Sequence, residues 1–427
     1  MIHTMTIQHQ LNGWKARRFL HAIGCTDEEA TAFMNLELYD DKGKLKTTKS
    51  IDQGIPAGIH EVSLSLGQCT SMGCKDFYAY IRMEPLTVIT GERHIALFEC
   101  TEENIQRLQN AFRGFMVGFL DLDGTASSLN QLAEFSDWDA ERVDYTRDIR
   151  MRNHDEVLAM MNLCKLLTRE TCHNHAMEKT NTYGVNFTDA MFKFGNKTWE
   201  VEGYDKQAQV MNREERYVEQ YAAPDVFQQL VNESANIFRF EYRRKKEGTR
   251  KDFEDRNVMR FLSETVADQW FHKAYKSLVG YDPFYVLDYQ LQLKLGEVFP
   301  MSKEEADRDA AAKKRYDRAR KKAKEEGRAC TVHYKKQVMG ATAQQYYAFL
   351  SFVNQHKGLM NAEAAFDSFQ YADKRQFSRY VDNLRERGIA PVCIPKNWLH
   401  IRPNGNGREM DLPHDYLPNP IMRPPKD

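Results

Sequence analysis

The stretch whose residue types best suit chemistry is residues 198–206, TWEVEGYDK. Because side chains alternate between the two faces of a β-strand, Glu200, Glu202 and Tyr204 share one face, while the apolar residues on either side of Glu200 take the other. A tight-turn sequence, GNK, precedes this strand, so residues 188–204 are predicted to form a β-hairpin with one apolar and one polar face. Two carboxylates and a phenol on one face indicate a role beyond packing.

Two other short stretches show the same alternation. They are residues 141–147, ERVDYTR, and residues 237–243, IFRFEYR. In each, aromatic or aliphatic side chains take one face of the predicted strand and charged side chains take the other. The polar faces carry Arg142, Asp144 and Thr146 in the first stretch and Arg239, Glu241 and Arg243 in the second.

Carboxylates from the three stretches meet if the strands are neighbours in one sheet. Asp144, Glu241 and either Glu200 or Glu202 then form an oxygen-rich set that suits a hard divalent cation beside the Tyr204 hydroxyl. The alternative is a structural ion-pair network in which the arginines neutralise the same acids. The residue types leave both readings open.

Bulk properties limit the class of protein. The chain has 427 residues, 60 basic and 61 acidic side chains and a net charge of −1. Its length suggests two or three domains, and it contains no run of about 18 apolar residues that could cross a membrane. The N-terminus has no secretion signal and the eight cysteines follow no paired spacing, so we expect a cytoplasmic protein with reduced thiols. A near-neutral chain can still concentrate cations locally on a nucleic-acid surface.

The pattern of predicted elements favours an α+β fold. After a helical start at the N-terminus, strand-like stretches dominate residues 1–246, with amphipathic helices over residues 101–119 and 155–167. We predict a catalytic domain there, built on a mainly antiparallel sheet. Residues 247–400 are predicted to form a mainly helical domain, and the proline-rich residues 401–427 an extended tail.

A long charged helix is predicted in the second domain. Ser302 and Glu305 form a capping-box signature at its start, and residues 313–324 then contain eight basic residues and one acid. One reading is a solvated helix held by salt bridges. The other is contact with the phosphate backbone of DNA. The lysines predicted to make that contact are Lys313, Lys314, Lys321 and Lys322.

The order of three motifs resembles a known family. RVDYT, then a hairpin ending in YDK, then FRFEYR is similar to replication initiators of the filamentous-phage gene II protein type and to related plasmid initiators. Those proteins carry an arginine–aspartate strand, a strand ending in tyrosine followed closely by lysine, and an arginine–glutamate strand. The resemblance extends weakly upstream to FYAYIRMEPLTVITGE and downstream to FSRYVDNLRERGIAP.

The resemblance implies a metal-dependent DNA nickase and strand transferase that starts rolling-circle replication. Tyr204 attacks a phosphate in origin DNA, either single-stranded or in an extruded hairpin, and leaves a phosphotyrosine and a free 3′ hydroxyl. Lys206 lowers the cost of the phenolate, since a phenol has a pKa of about 10. Mg²⁺ or Mn²⁺ on Asp144, Glu241 and Glu202 polarises the phosphate. The predicted phosphate contacts are Arg142, Arg239 and Arg243, and the implied partners are a bacterial host helicase and polymerase.

Three features set the sequence apart from the family pattern or qualify the match. Neutral residues follow Lys206 where an acid often occurs in such proteins, and Lys206 shares the face of Tyr204 only if the strand continues through Asp205. His173 and His175 have the spacing of a nickase metal motif but a polar residue between them, so we interpret them as surface histidines.

Two rival functions use the same residues differently. A DNA-binding replication or regulatory protein without catalysis needs the basic helix and leaves the acids as ion pairs. A metal-dependent nuclease uses water instead of Tyr204 as the nucleophile and forms no covalent adduct.

Overall fold

The computed structural model describes residues 1–38, 40, 43, 45–67, 76–122, 127–167, 191–212, 224–279, 284–285, 287–369, 374–394 and 416–417. His173, His175 and all of the predicted tail except two residues lie outside this part of the chain. The chain divides into two compact units, one of residues 1–150 and 172–275 and one of residues 151–171 and 276–427. The division falls after residue 275, and helix 154–167 groups with the second unit.

The first unit contains an eight-stranded antiparallel sheet, which confirms the α+β class. Its spatial order is β2-β3-β4-β1-β5-β8-β7-β6. The strands are β1 Ile2–Leu11, β2 Thr48–Ile51, β3 Ile59–Leu66, β4 Phe77–Met83, β5 Asp139–Arg150, β6 Met191–Gly195, β7 Trp199–Asp205 and β8 Ile237–Arg244. Two further short strands pair in the second unit, β9 Phe284–Tyr285 and β10 Tyr416–Leu417.

Helices surround the sheet and build the second unit. In chain order they are α1 Gly13–Ala22, α2 Asp27–Asn35, α3 Pro85–Thr90, α4 Glu102–Phe119, α5 Ser127–Ala133, α6 His154–Leu167, α7 Lys206–Met211, α8 Pro224–Glu233, α9 Lys246–Asp252, α10 Glu264–Val279, α11 Tyr289–Val298, α12 Lys303–Glu325, α13 Ala341–Gln355, α14 Leu359–Ala364 and α15 Lys374–Glu386. In the part of the chain described, no helix is both long and apolar enough to span a membrane.

The apolar face of β8 packs on helix α10. The ring of Phe240 lies 5.5 Å from that of Phe271 and 5.1 Å from that of Tyr275, measured between centroids. Phe238 and Phe240 are fully buried. Aromatic side chains bury large areas, so this face anchors the strand and directs its charged residues to the opposite face.

The predicted helical start is confirmed only from Gly13, where α1 begins. Residues 2–11 form β1, which lies between β4 and β5 near the middle of the sheet. Its register against β5 shifts between Ile2 and Met5 and again between Thr6 and Ile7. These irregularities break the simple alternation that marks a strand in sequence.

In the second unit, α12 begins as predicted. The Ser302 hydroxyl accepts a hydrogen bond from the Glu305 backbone, and the Glu305 carboxylate accepts one from the Ser302 backbone. Only Ala323 is buried along the whole helix. A helix that is polar on all sides gains little from packing, so its caps and surface contacts decide its stability.

Candidate active site

The three polar strand faces form one surface. β5 and β7 both pair with β8, and the register places Asp144 opposite Arg243, Glu202 opposite Glu241, and Tyr204 opposite Arg239. Directly opposed side chains lie on the same face of a sheet. The acids, the arginines and the tyrosine of the three strands therefore lie on one face of the sheet.

Tyr204 and Glu241 form a buried pair on this surface. The Tyr204 hydroxyl donates a hydrogen bond of 2.6 Å to Oε1 of Glu241. Tyr204 is 1% exposed and Glu241 is 3% exposed. Burial and then the nearby carboxylate raise the pKa of Tyr204 well above its ordinary value, so the phenol is held protonated. The pair is a potential nucleophile and base in contact.

Two nitrogen-bearing side chains, His3 and Arg243, contact the Glu241 carboxylate. His3 Nδ1 lies 2.9 Å from Oε1, and a guanidinium nitrogen of Arg243 lies 3.6 Å from Oε2. This contact between His3 and Glu241 is a close polar one. Burial favours the neutral acid, but His3, Arg243 and the Tyr204 hydroxyl outweigh it and hold the pKa of Glu241 below its usual range. Glu241 is therefore an oriented carboxylate.

The other acids of the surface are matched by cations. Arg243 Nε donates to Asp144 Oδ1 at 3.0 Å, and Arg142 Nε donates to the same oxygen at 2.8 Å. Arg243 also contacts both Glu200 and Glu202. Lys193 and Lys245 lie at 2.8 and 2.7 Å from Glu200, and with Arg243 they overcome the effect of burial and lower the pKa of Glu200 to about 2.

The predicted metal ligands do not surround a common point. The oxygens of Asp144 and Glu202 face guanidinium groups, and Glu241 faces His3 and Tyr204. Burial and the charge of Glu241 raise the pKa of Glu202, so these two carboxylates repel each other. Among the residues described, no group of three His, Cys, Asp or Glu is placed to hold a metal ion. The geometry matches the ion-pair reading, and the need for Mg²⁺ or Mn²⁺ stays a prediction.

Arg239 pairs with Tyr204 in the register of β7 against β8. It is 0% exposed and makes a two-pronged contact with Asp148, at 2.5 Å from Nε and 2.7 Å from Nη2. Nη2 also donates to the Ile95 carbonyl. Its remaining nitrogen, Nη1, is buried without a hydrogen-bond partner in the described structure. Arg239 therefore retains one unsatisfied donor in the site.

Lys206 does not continue the strand of Tyr204. The Asp205 carboxylate accepts hydrogen bonds from the backbones of Gln207 and Ala208, which caps α7 and starts the helix at Lys206. Lys206 is 3% exposed and its ammonium donates to Gln209 Oε1 at 2.7 Å. Its side chain lines a small pocket that His3 also lines.

Three residues near Tyr204 were not predicted from the sequence. His3 lies on β1, His60 on β3 and Glu84 just after β4. His60 Nε2 is 3.1 Å from Glu84 Oε1, and His3 Nε2 is 3.9 Å from the same atom. The signal available in the sequence was the run of Thr, Ile and Met around His3, which is typical of a strand.

The predicted DNA-binding lysines lie in the second unit. All eight basic side chains of residues 313–324 on α12 are exposed. Within the described chain, Lys322 alone among them forms an ion pair, at 3.8 Å from Glu326. Two acids of the first turns are engaged elsewhere, because the Glu305 carboxylate accepts a hydrogen bond from the Ala341 backbone and Asp309 accepts one from the Tyr334 hydroxyl. The helix is solvated, but salt bridges do not neutralise its basic half.

Comparison with known proteins supports the predicted resemblance. Residues 96–270 match the family model for the N-terminal domain of the filamentous-phage gene II replication-associated protein. The matched segment contains β5, β7 and β8, and with them Tyr204 and Glu241, whereas His3, His60 and Glu84 lie outside it. No curated protein and no solved structure matches the chain. The matched segment is thus similar to that N-terminal domain.

Proposed function

We propose, from the match of residues 96–270 to the phage replication-associated family, that this chain nicks one strand of its origin DNA to start rolling-circle replication. The observation that carries the proposal is the 2.6 Å hydrogen bond from the Tyr204 hydroxyl to Glu241. A nucleophile within hydrogen-bond reach of a base, with the base oriented by further groups, is the arrangement that covalent catalysis requires.

The chemical step moves one proton and exchanges one bond. The Tyr204 oxygen bonds to phosphorus, the bond from phosphorus to the 3′ oxygen breaks, and Glu241 accepts the phenolic proton. The departing 3′ oxygen takes a proton from solvent. The products are a phosphotyrosine and a free 3′ hydroxyl, which a host polymerase extends while a helicase opens the duplex.

The cationic residues have separate roles in this proposal. Arg142, Arg239 and Arg243 support the surface on which the phosphate is attacked, and the unsatisfied Nη1 of Arg239 is a donor for a phosphate oxygen. Lys206 lies beside the site in the pocket shared with His3. No step here is routed through a metal ion, because the predicted ligands are engaged by cations.

Access to Tyr204 is part of the mechanism. With 1% of its surface exposed, the side chain cannot meet DNA in the structure described. Productive binding therefore includes an opening movement that brings the hydroxyl to the phosphate. The hydrogen bond between Tyr204 and Glu241 is kept during this movement only if strands β7 and β8 stay paired. We therefore propose that the segments covering the sheet move and that the strands do not.

The second unit is proposed to hold the DNA. Exposed cations are available for phosphate contacts, and each contact releases counterions on binding. Lys313, Lys314, Lys321 and Lys322 on α12 fit this role.

The test uses labelled single-stranded origin DNA with Mg²⁺ or Mn²⁺, denaturing electrophoresis and mass mapping of any adduct. We expect a covalent adduct on Tyr204, and we expect Tyr204→Phe to abolish cleavage while origin binding stays within about threefold. Phe keeps the ring and removes only the attacking oxygen. Tyr242→Phe is the matched control, since Tyr242 lies on the opposite face of β8.

The other outcomes separate the rival functions. Cleavage without an adduct identifies water as the nucleophile. Binding without cleavage of a validated origin identifies a DNA-binding replication protein without catalysis. Loss of both binding and cleavage in Tyr204→Phe assigns the residue a structural role.

A further inference from the structure

A series of polar contacts joins Tyr204 on β7 to His60 on β3. The Tyr204 hydroxyl donates to Oε1 of Glu241 at 2.6 Å, and the buried Nδ1 of His3 lies 2.9 Å from the same oxygen. Nε2 of His3 lies 3.9 Å from Oε1 of Glu84, and His60 lies 3.1 Å from that oxygen. His3 is therefore placed between two carboxylates, one of which is the proposed base.

An irregularity in β1 brings His3 to this position. Three steps along β1, from Ile2 to Met5, match two steps along β5, so β1 carries one extra residue here. Such bulges re-aim a side chain and are frequent next to active sites. Glu241 lies on β8, two strands from β1, and the residue of β5 opposite Glu241 is Thr146. A short side chain at that place lets the imidazole reach across β5.

The contact with His3 orients the Glu241 carboxylate. A carboxylate oxygen only accepts hydrogen bonds, so Nδ1 of His3 carries a proton in this contact. Arg243 lies 3.6 Å from Oε2 of Glu241, and it also contacts three other acids. Without His3, Arg243 holds only the oxygen that Tyr204 does not use, and the rotatable bonds of Glu241 let Oε1 leave the phenol.

The other side of the imidazole faces an anchored acid. Oε1 of Glu84 contacts His60, and Oε2 accepts a hydrogen bond from the Thr87 hydroxyl at 3.2 Å. Burial favours the neutral acid, but the contacts with His60 and His3 outweigh it and hold the pKa of Glu84 below its usual range. A fixed negative charge therefore stands beside Nε2 and limits rotation of the His3 ring.

We propose that His3 is a positioning residue of the nicking reaction, which keeps Oε1 of Glu241 on the Tyr204 hydroxyl while the segments that cover the sheet move and DNA enters. The inference rests on the proposed nicking function. It adds a residue that lies outside the segment 96–270 matched by the family model. A base that is held in place before the reaction needs little rearrangement during the proton transfer.

The first test uses two substitutions that each resemble histidine at one nitrogen. Asparagine and glutamine both keep an amide donor, which lies near the position of Nδ1 in His3→Asn and near that of Nε2 in His3→Gln. We expect single-turnover cleavage by His3→Asn to stay within about fivefold of the wild type, and that by His3→Gln to be about 10- to 100-fold slower. The Kd for origin DNA should change by less than about threefold in both variants. Equal rates for the two variants overturn the proposal.

A histidine of the same strand supplies the matched control. Nδ1 of His9 lies 2.9 Å from the backbone oxygen of Asp137. His9→Asn and His9→Gln should therefore cleave at equal rates, close to that of the wild type. Thermal unfolding shows which variants are folded, and His3→Ala replaces His3→Gln if the latter is not.

The metal dependence of the same variants adds a second way to overturn the proposal. If His3→Asn cleaves as slowly as His3→Gln, and both change the Mn²⁺ concentration at half-maximal cleavage, His3 is a metal ligand and no positioning residue. An unchanged Mn²⁺ midpoint in both variants is the expected result.

The last measurement needs no cleavage and so separates this proposal from the nicking function. The full-length protein is labelled with ¹³C at the tyrosine ring carbon that bears the hydroxyl, and the Tyr204 resonance is assigned by its loss in Tyr204→Phe. This resonance responds to the hydrogen bond with Glu241. We expect it to stay in place in His3→Asn and to shift in His3→Gln.

The two failures are then distinct. If the resonance shifts as expected but DNA forms no adduct with Tyr204, the nicking function fails and the placement of the carboxylate by His3 stands. If the adduct forms and the resonance is the same in the wild type and in both His3 variants, only the positioning proposal fails.

Discussion

The polar face of β5, β8 and β7 and the basic half of α12 both concentrate charge, but in opposite ways. On the sheet, the single side chain of Arg243 contacts four acids, and all four are largely buried. They are Asp144, Glu200, Glu202 and Glu241. On α12, only one of the eight exposed cations forms an ion pair in the structure described. Buried charges need partners because desolvation is costly, whereas exposed charges are solvated and stay available to a ligand. The acids on the sheet are paired with cations, whereas most cations on α12 are unpaired. The two regions are therefore expected to have different roles.

The largest effect should come from removing the central cation of the sheet. Arg243→Met removes the one cation that several buried carboxylates share, and we expect the free energy of unfolding to fall by about 3–5 kcal/mol. The measurement is urea unfolding followed by tryptophan fluorescence, since four of the five tryptophans, all except Trp398, lie in the first unit.

The matched control for Arg243→Met removes an arginine from the unpaired region. Arg318→Met on α12 should change the free energy of unfolding by less than about 0.5 kcal/mol, because Arg318 is exposed. Similar losses for the two variants contradict the comparison between the regions.

The next effect concerns DNA affinity and leaves stability unchanged. Changing Lys313, Lys314, Lys321 and Lys322 together to Gln removes up to four phosphate contacts. We expect the slope of log K against log salt concentration to fall by up to about 3.6 units, with no loss in the free energy of unfolding. The measurement is fluorescence anisotropy on origin duplex at several salt concentrations.

A charge-preserving control accompanies that variant. Replacing the same four lysines by arginine keeps the charges and should keep the slope. If the Gln variant keeps the wild-type slope, α12 is a solvated surface with no part in binding.

The smallest effect is expected from a substitution of a single acid on the polar face of the sheet. Asp144→Asn removes the charge between Arg142 and Arg243, and we expect the free energy of unfolding to fall by about 1–3 kcal/mol. Because guanidinium groups occupy the carboxylate oxygens, the Mn²⁺ concentration at half-maximal cleavage should not change. A shifted Mn²⁺ midpoint would return Asp144 to the set of metal ligands.

Local patterns in the sequence were enough to predict the polar surface. A strand repeats every two residues, so alternation alone places Glu202 and Tyr204 on one face of β7 and Glu241 on the charged face of β8. The start of α12 was equally local, because Ser302 and Glu305 reveal a capping box without any knowledge of tertiary structure. In both places the neighbours in sequence determine the geometry.

The positions of the residues that complete the site depend on contacts between residues far apart in the sequence. His3 reaches Glu241 across 238 positions of sequence, and the irregular register of β1 hides its strand pattern. The face of Lys206 was left open in the sequence for a different reason: the Asp205 carboxylate caps a helix that competes with continuation of the strand. Ion pairing of Asp144 was one of two readings that composition alone left open, and only the register decided how its oxygens are used.

The position of β1 also governs when the site can exist during synthesis. β1 is the first strand made, yet its neighbour β5 begins at residue 139, and β5 in turn pairs with β8, which ends at residue 244. A ribosome adds roughly 5–20 residues per second, so the first strand waits several seconds for its partners. Chains that stop before β8 lack Glu241 and the pairing that orients Tyr204. A chain that stops before β8 therefore lacks the residues and the strand pairing of the proposed nicking site, and we expect it not to cut DNA.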